Sequence, residues 1–136
     1  MNRKDFQVLA ECRAREAGLL ARRGEGRGAY YLAGLAVECA LKACIARKTK
    51  RYEFPPPVNE VRDLYSHDLK QLLKKAGLSA QLELDMKADR ELSANWGTVQ
   101  RWSIESRYDS SRLNGRDMHT AVSGPNGVLL WIKRHW

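Results

Sequence analysis

The most apolar segment of the chain is Ala29-Tyr-Tyr-Leu-Ala-Gly-Leu-Ala-Val-Glu-Cys-Ala-Leu-Lys-Ala-Cys-Ile-Ala46. It is apolar almost all the way round a helical wheel, which is typical of a helix buried at the centre of a bundle. Only Glu38 and Lys42 interrupt this surface, and their i,i+4 spacing places them one turn apart. A carboxylate in such surroundings needs a partner or gives up its charge. We therefore predict a central helix near residues 28–48 whose acid either pairs with Lys42 or orients an arginine or histidine from another helix.

The sequence on the N-terminal side of this segment predicts a first helix from about Arg3 to Arg22. Its apolar positions recur at helical spacing, and Asn2 with Asp5 three residues later resembles a capping box. The glycines that follow, at positions 24, 26 and 28, predict a short turn before the central helix. The stripe of the first helix consists of Phe6, Leu9, Ala10, Ala17 and Leu20.

On the C-terminal side, three consecutive prolines predict a loop over residues 49–65, because proline cannot continue a helix and disfavours helical geometry in the residue before it. Ser66 is then expected to cap a third helix over residues 67–76, which Gly77 ends.

A further helical region is expected to start near Ser79 and to break or bend around residues 95–97. Asn114 offers the start of a last helical region, which residues 124–127 interrupt and residues 128–136 resume. Three apolar residues at a spacing of three are assigned to the core. These residues are Trp96, Val99 and Trp102.

Strand signals are weak, because no alternation with a period of two persists beside hairpin turn residues. The length of 136 residues fits one domain with one core. We therefore predict an all-α single domain over residues 1–136, built as an up-and-down bundle of about four to five helices.

The charge of the chain is strongly basic and unevenly placed. There are 24 Lys and Arg residues against 16 Asp and Glu residues, which gives a formal net charge of +8. Residues 1–51 carry 12 basic and 5 acidic residues, residues 52–100 carry 6 and 8, and residues 101–136 carry 6 and 3. Basic ends favour a polyanion partner such as RNA, because neutralised phosphates release counterions. Solubility alone is the other interpretation.

The sequence also predicts where the protein works. It has no apolar stretch behind the N-terminal charges, as a secretory signal would, and no run of roughly 18 apolar residues that would span a membrane. The three cysteines lack a CxxC pair or zinc-site spacing, so we expect buried, inert thiols. We therefore expect a cytoplasmic protein without membrane contact, metal or cofactor.

Three blocks of the sequence together resemble a HEPN domain, the higher-eukaryote and prokaryote nucleotide-binding superfamily, and most of all its short stand-alone bacterial proteins. The first block is Arg13-Ala-Arg-Glu-Ala-Gly-Leu-Leu20. The second is Tyr31-Leu-Ala-Gly-Leu-Ala-Val-Glu-Cys-Ala-Leu-Lys-Ala43, and the third is Ser66-His-Asp-Leu-Lys-Gln-Leu-Leu73. The resemblance spans nearly the whole chain, and its most specific part is the block around Glu38 and Lys42.

This resemblance implies an up-and-down helical bundle that commonly forms a homodimer. Many members resemble metal-independent endoribonucleases, often toxins paired with a nucleotidyltransferase antitoxin. Others have lost catalysis and bind RNA, a nucleotide or a protein. Active members carry an arginine and a histidine separated by four to six residues on the last long helix.

The candidate catalytic residues follow from that motif. Arg112 and His119 are separated by six residues, but Asn114-Gly115 lies between them and is expected to break or begin a helix. Arg107 stands in the family-like position without a histidine at the right distance. In RNA cleavage an imidazole moves protons near neutral pH, and a guanidinium stabilises charge on the phosphate.

Three further residues are candidates for binding or supporting roles. They are Glu38, Lys42 and His67, and we expect His67 to be structural, held by Glu38 or by a loop carbonyl. Because the catalytic motif is interrupted, the favoured function is a binding module for RNA, a nucleotide or a partner such as a nucleotidyltransferase. The alternative is a metal-independent endoribonuclease in which His119 transfers protons, Arg112 or Arg107 contacts the phosphate, and Glu38 orients one of them.

Overall fold

The computed structural model describes residues 1–48, 62, 65–109 and 113–136. These residues form helices and no strand, so the all-α prediction is confirmed for them. The helices are α1 (Arg3–Arg22), α2 (Gly26–Lys48), α3 (Leu69–Lys75), α4 (Ser79–Ala88), α5 (Arg90–Val99), a 3-10 helix (Ile104–Tyr108), α6 (Gly115–Ser123) and α7 (Val128–Lys133).

Helix α1 has the predicted bounds, and its N-terminus is capped as predicted. The backbone N–H of Asp5 donates to the Asn2 side chain at 2.9 Å, and the backbone N–H of Asn2 donates to the Asp5 carboxylate at 2.8 Å. This reciprocal capping box satisfies two N–H groups that the helix itself leaves without partners.

Helix α2 begins two residues earlier than predicted, so Gly26 and Gly28 belong to the helix and not to the turn. Gly24 makes the turn, with a φ of 79°. At Gly26 a Cβ atom would come within 2.8 Å of the Leu113 carbonyl oxygen. At Gly28 a Cβ atom would come within 3.0 Å of Leu20 Cδ1, so Gly26 and Gly28 both allow close packing at the start of α2, which the local sequence pattern does not reveal.

The central position of α2 is confirmed by its burial. Its buried side chains occupy every side of the helix, and the same hydrophobic cluster includes residues from α1 and from α3 to α7. By length and composition alone, α2 is long and apolar enough to cross a membrane. The expectation that no segment of the chain approaches a membrane-spanning length is therefore wrong by length and composition. However, 72% of the apolar window is buried inside the fold, which is equally a property of the core helix of a soluble protein.

The cap of α3 differs from the prediction. Asp68, and not Ser66, is the N-cap residue, and its carboxylate accepts from the backbone N–H groups of Lys70 and Gln71. Ser66 instead accepts from the backbone N–H of Asp68. A carboxylate that reaches two free N–H groups is a strong cap. As a consequence, His67 precedes the helix and does not lie in its first turn.

The helical region after Ser79 is broken at Asp89 and not at residues 95–97. The Asp89 side chain accepts from the backbone N–H of Leu92 and so starts a new helix, while residues 95–97 lie inside α5. The prediction of three core residues is confirmed. Trp96, Val99 and Trp102 are all buried.

The last two helices begin where the sequence predicted, with a break between them. Asn114 caps α6, and the segment between Ser123 and Val128 separates it from α7. The α7 helix is joined to α4 by a hydrogen bond of 2.8 Å, which the Trp131 indole donates to the Asp85 carboxylate.

The cysteine prediction is confirmed in part. Cys39 and Cys44 are buried, and burial raises the pKa of each thiol to about 11, so both are protonated at neutral pH. Cys12 is only partly buried, and its thiol donates to the Glu16 carboxylate at 3.1 Å.

Candidate functional site

The carboxylate of Glu38 is the buried acid around which the first candidate site is built. Its side chain is 5% exposed, at the middle of α2. One oxygen, Oε2, lies 3.5 Å from the ammonium of Lys42, and the other, Oε1, lies 2.7 Å from Nδ1 of His67. The two partners that the sequence left as alternatives, a lysine on the same helix and a histidine from elsewhere, are therefore both present.

This contact defines the state of the His67 ring. A carboxylate can only accept hydrogen bonds, so Nδ1 of His67 donates to Glu38. In the neutral ring the lone pair then lies on Nε2, at the opposite edge. The His67 side chain is 49% exposed, so a half-exposed ring is oriented by a buried acid.

Arg107 lies on the 3-10 helix, which packs against α2. Its guanidinium stands 4.8 Å from the centre of the Tyr108 ring, and both side chains are exposed. The hydrogen bond from Ser103 lowers the pKa of the neighbouring Glu105 carboxyl, and the charges of Arg107 and His67 lower it further. Arg107 and His67 thus lie within electrostatic range of the same carboxylate.

His119 belongs to a different part of the molecule. It lies on α6, where its ring packs against Gly18 of α1, so closely that a Cβ atom at Gly18 would lie 2.9 Å from the ring. The guanidinium of Arg22 lies 3.6 Å from the same Cβ position. Burial lowers the pKa of His119, and the positive charge of Arg22 lowers it further. The imidazole is therefore neutral at neutral pH.

A cavity of about 660 Å³ opens beside this ring between α1, α6 and α7. The Nδ1 atom of His119 is buried and has no hydrogen-bond partner among the described residues. The walls combine cationic side chains and the acid Glu11 with small and apolar side chains. They include Arg15, Lys133, Ser123, Ala14 and Leu129. The ammonium of Lys133 also pairs with Glu11 at 3.2 Å.

Of the two arginines that the sequence offered as partners of His119, only Arg107 belongs to the described residues. Arg112 lies outside the described residues. Arg107 is on a separate 3-10 helix, and Asn114 begins α6 after it, so Arg107 does not share a helix with His119. Among the described residues, the cation that acts on His119 is Arg22 of α1.

Sequence reasoning did not identify Arg15 and Arg22 as site residues. The available signal was their spacing, because Arg15, Gly18 and Arg22 recur every three or four residues and so share one side of α1. Nothing local indicates that His119 packs on that side, since the contact joins the first helix to the end of the chain.

Comparisons of this chain with known protein families, with curated proteins and with solved structures find no match. The resemblance to the HEPN superfamily therefore stays a prediction. The described residues form two histidine sites, His67 oriented by a buried acid and His119 neutral beside arginines and a cavity.

Proposed function

We propose that this protein is a HEPN-like helical module that binds RNA, and that its catalytic motif is degenerate. The observation that carries the proposal is the cavity beside His119, where Arg15 of α1 and Lys133 of α7 line the same space as a neutral imidazole. Its volume of about 660 Å³ falls in the range of about 300–1,000 Å³ that is typical of ligand sites.

Two arginines near the His119 ring favour a polyanion. Arg15 lines the cavity, Arg22 lies beside the ring at Gly18, and both are exposed on α1. Guanidinium groups bind phosphates in a planar, two-pronged geometry and keep their charge at any physiological pH. The apolar wall beside them, including Leu129, offers a surface to a nucleobase, and the neutral His119 adds a polar group that does not repel the arginines.

The proposal includes further features that the resemblance implies. They are an up-and-down bundle over residues 1–136 and a homodimer. The proposal also includes the cytoplasmic location that the sequence pattern favours. A free nucleotide is the second ligand that the same cations would accept, and a nucleotidyltransferase is the protein partner that the resemblance suggests.

The binding proposal predicts a strong salt dependence. The protein is expected to bind single-stranded RNA, with an affinity that falls steeply as salt increases. Replacing Arg15 and Arg22 together by glutamine should weaken binding and flatten the slope of log K against log salt by about 0.7 for each phosphate that is no longer neutralised. Fluorescence anisotropy with a labelled oligoribonucleotide at several salt concentrations measures both quantities.

A matched control for this experiment is Lys87→Gln combined with Arg90→Gln. These residues are exposed on α4 and α5, away from the cavity, and the double variant removes the same total charge. It should keep most of the affinity and of the salt slope. Equal losses in both double variants would mean that net charge alone attracts RNA and would contradict the cavity as the site. A salt-independent affinity for a protein would instead support the nucleotidyltransferase partner.

One observation favours the alternative, a metal-independent endoribonuclease of the toxin–antitoxin type. His119 is a neutral imidazole, which can act as a base, and it lies near the fixed positive charge of Arg22. Cleavage of RNA by its own 2′-hydroxyl uses a base to take the proton and a cation to stabilise the charge on the phosphate. In this alternative His119 accepts the proton, and Arg22 takes the role that the sequence assigned to Arg112 or Arg107.

The nuclease alternative predicts cleavage of single-stranded RNA in the presence of EDTA. His119→Ala should lower the rate about 10²- to 10⁴-fold, which is the usual contribution of a proton-transferring group. His135→Ala is the control, because the His135 ring lies tilted against Trp131 and is not among the residues that line the cavity. Intact RNA after long incubation, or equal cleavage by the His119→Ala variant, would remove the alternative and leave the binding module.

A further inference from the structure

The cavity between α1, α6 and α7 has apolar surface that the fold leaves uncovered. The two lining residues that are buried, Ala14 and Leu129, are both apolar, and Leu130, which also lines the cavity, is 47% exposed. Ligand sites in proteins are mostly apolar, with a few polar or charged groups that orient the ligand. A ligand with an apolar body would therefore gain free energy by covering these side chains.

A carboxylate already lies against one of the cations that line this cavity. The Glu11 carboxylate of α1 lies 3.2 Å from the ammonium of Lys133 of α7, and both residues line the cavity. Their side chains are 59% and 35% exposed, respectively, so solvent screens the pair and little free energy is lost when it separates. The carboxylate of a ligand can therefore take the place of Glu11 on Lys133.

The charges of the lining residues define how much negative charge a ligand should carry. Arg15 and Lys133 are positive and Glu11 is negative, which leaves one positive charge in excess. Burial lowers the pKa of His119, so its ring adds no charge at neutral pH. A ligand with a single negative charge would balance this site.

Arg15 is the cation that is available to such a ligand. It forms no ion pair with another described residue, and its guanidinium donates to Sγ of Cys12 at 3.6 Å, a weak contact. By contrast, the Lys133 ammonium has the Glu11 carboxylate and also lies 5.5 Å from the centre of the Trp136 ring. The planar guanidinium group matches the geometry of a carboxylate, which accepts two of its N–H groups at once.

We propose that this cavity binds a small monocarboxylate with an apolar body, such as an aryl or branched-chain carboxylic acid. The apolar body covers Ala14, Leu129 and Leu130. The carboxylate binds Arg15 and Lys133 and displaces Glu11, which acts as an internal competitor. This inference goes beyond the proposed function, because it assigns a small-molecule ligand to the cavity and does not require that RNA binds there.

The test is isothermal titration calorimetry of the full chain with naphthylacetate, which joins an apolar ring system to one carboxylate. Naphthylacetamide has nearly the same shape without the charge, and naphthyl phosphate carries up to two negative charges. Naphthylacetate should bind more tightly than either of them. If the amide bound equally well, the role of the cations would be contradicted, and tighter binding of the phosphate would contradict the preference for a single charge.

The variant with the most specific expected result is Glu11→Gln. It removes the internal competitor, so the affinity for naphthylacetate should rise about two- to fivefold, which corresponds to the strength of an exposed ion pair. If the ion pair only held α1 against α7, the same substitution would leave the affinity unchanged or lower it, and either result would overturn this inference.

Arg15→Gln should lower the affinity about tenfold, because the ligand loses a charge-assisted hydrogen bond. Its matched control is Arg90→Gln, on α5, which is exposed and does not line the cavity. Equal losses in the two variants would show that net charge alone attracts the ligand and would overturn the site.

The apolar part of the site is tested by Leu130→Asn, which should weaken binding of naphthylacetate about fivefold. Leu84→Asn is the control, because Leu84 is 61% exposed on α4 and is not among the residues that line the cavity. Both leucines are exposed, so both variants should keep the fold, which circular dichroism verifies before each titration. Equal affinities of the two variants would contradict the apolar contact.

The small-molecule site and the RNA proposal can fail separately. Naphthylacetate should also weaken RNA binding, because Arg15 belongs to both sites. RNA binding without any binding of naphthylacetate would overturn this inference and leave the proposed function standing. Binding of naphthylacetate without any RNA binding would support this inference and remove the proposed function.

Discussion

Glu38→Ala is expected to lower the free energy of unfolding by about 3–5 kcal/mol, which is the usual cost of removing one partner of a buried ion pair. The cost arises because the ammonium of Lys42, whose side chain is only 9% exposed, loses its carboxylate and stays buried with an uncompensated charge. His67 would also lose its partner, but its exposed ring can be hydrated. Urea unfolding followed by circular dichroism measures the change.

The control for this prediction is the double variant Glu38→Leu with Lys42→Met. It removes both charges and replaces them with apolar side chains of similar size, so its stability should lie within about 1 kcal/mol of the unmodified protein. The difference between the single and double variants isolates the cost of the stranded lysine. A single variant as stable as the unmodified protein would show that Glu38 and Lys42 are not paired in solution.

Gly34→Ala is the second substitution with a large expected effect. A Cβ atom at Gly34 would lie 2.2 Å from Cδ1 and Nε1 of the Trp102 indole, far inside van der Waals contact. Trp102 is 4% exposed and is stacked against Tyr31, so the rigid ring has little room to move. We expect a loss of about 1–3 kcal/mol from overpacking, together with a change in the near-UV circular dichroism of the tryptophans.

Gly97→Ala is the matched control. Gly97 lies inside helix α5, as Gly34 lies inside α2, but no heavy atom lies within 4 Å of the position that its Cβ would take. Alanine is favoured over glycine in a helix by about 0.5–1 kcal/mol, so this variant should gain stability. If both substitutions shifted the melting temperature in the same direction, the close contact between Gly34 and Trp102 would be contradicted.

These two predictions concern one side of α2. Tyr31, Gly34, Glu38 and Lys42 recur at intervals of three and four residues, which places them along a single stripe. Near the N-terminal end of the stripe Tyr31 packs against Trp102, and further along the helix Glu38 contacts His67. The apolar packing that stabilises the fold and the polar contact that orients His67 are therefore neighbours on the same helix.

The local elements of the fold could be predicted from the sequence because their signals are short in range. The capping box at Asn2, the length of α1 and the central position of α2 depend on residues that lie within a few turns of one another. The buried acid could be predicted for the same reason, since a lone carboxylate on an apolar helix must find a partner. The cap of α3 was misplaced by two residues, because Ser66 and Asp68 are both good capping residues and only the folded backbone selects between them.

The membership of each candidate site was decided by tertiary packing. Glu38 meets His67 across 29 positions of sequence, and His119 meets Gly18 and Arg22 from the opposite end of the chain. The spacing between an arginine and a histidine in the sequence concerns residues on one helix. It cannot indicate that a guanidinium from a different helix lies beside that histidine. The sequence by itself therefore determined that the chain is helical and that its core helix carries a paired acid. The fold alone decided which cation faces which histidine, because that choice depends on how the helices pack and not on the order of residues within any one of them.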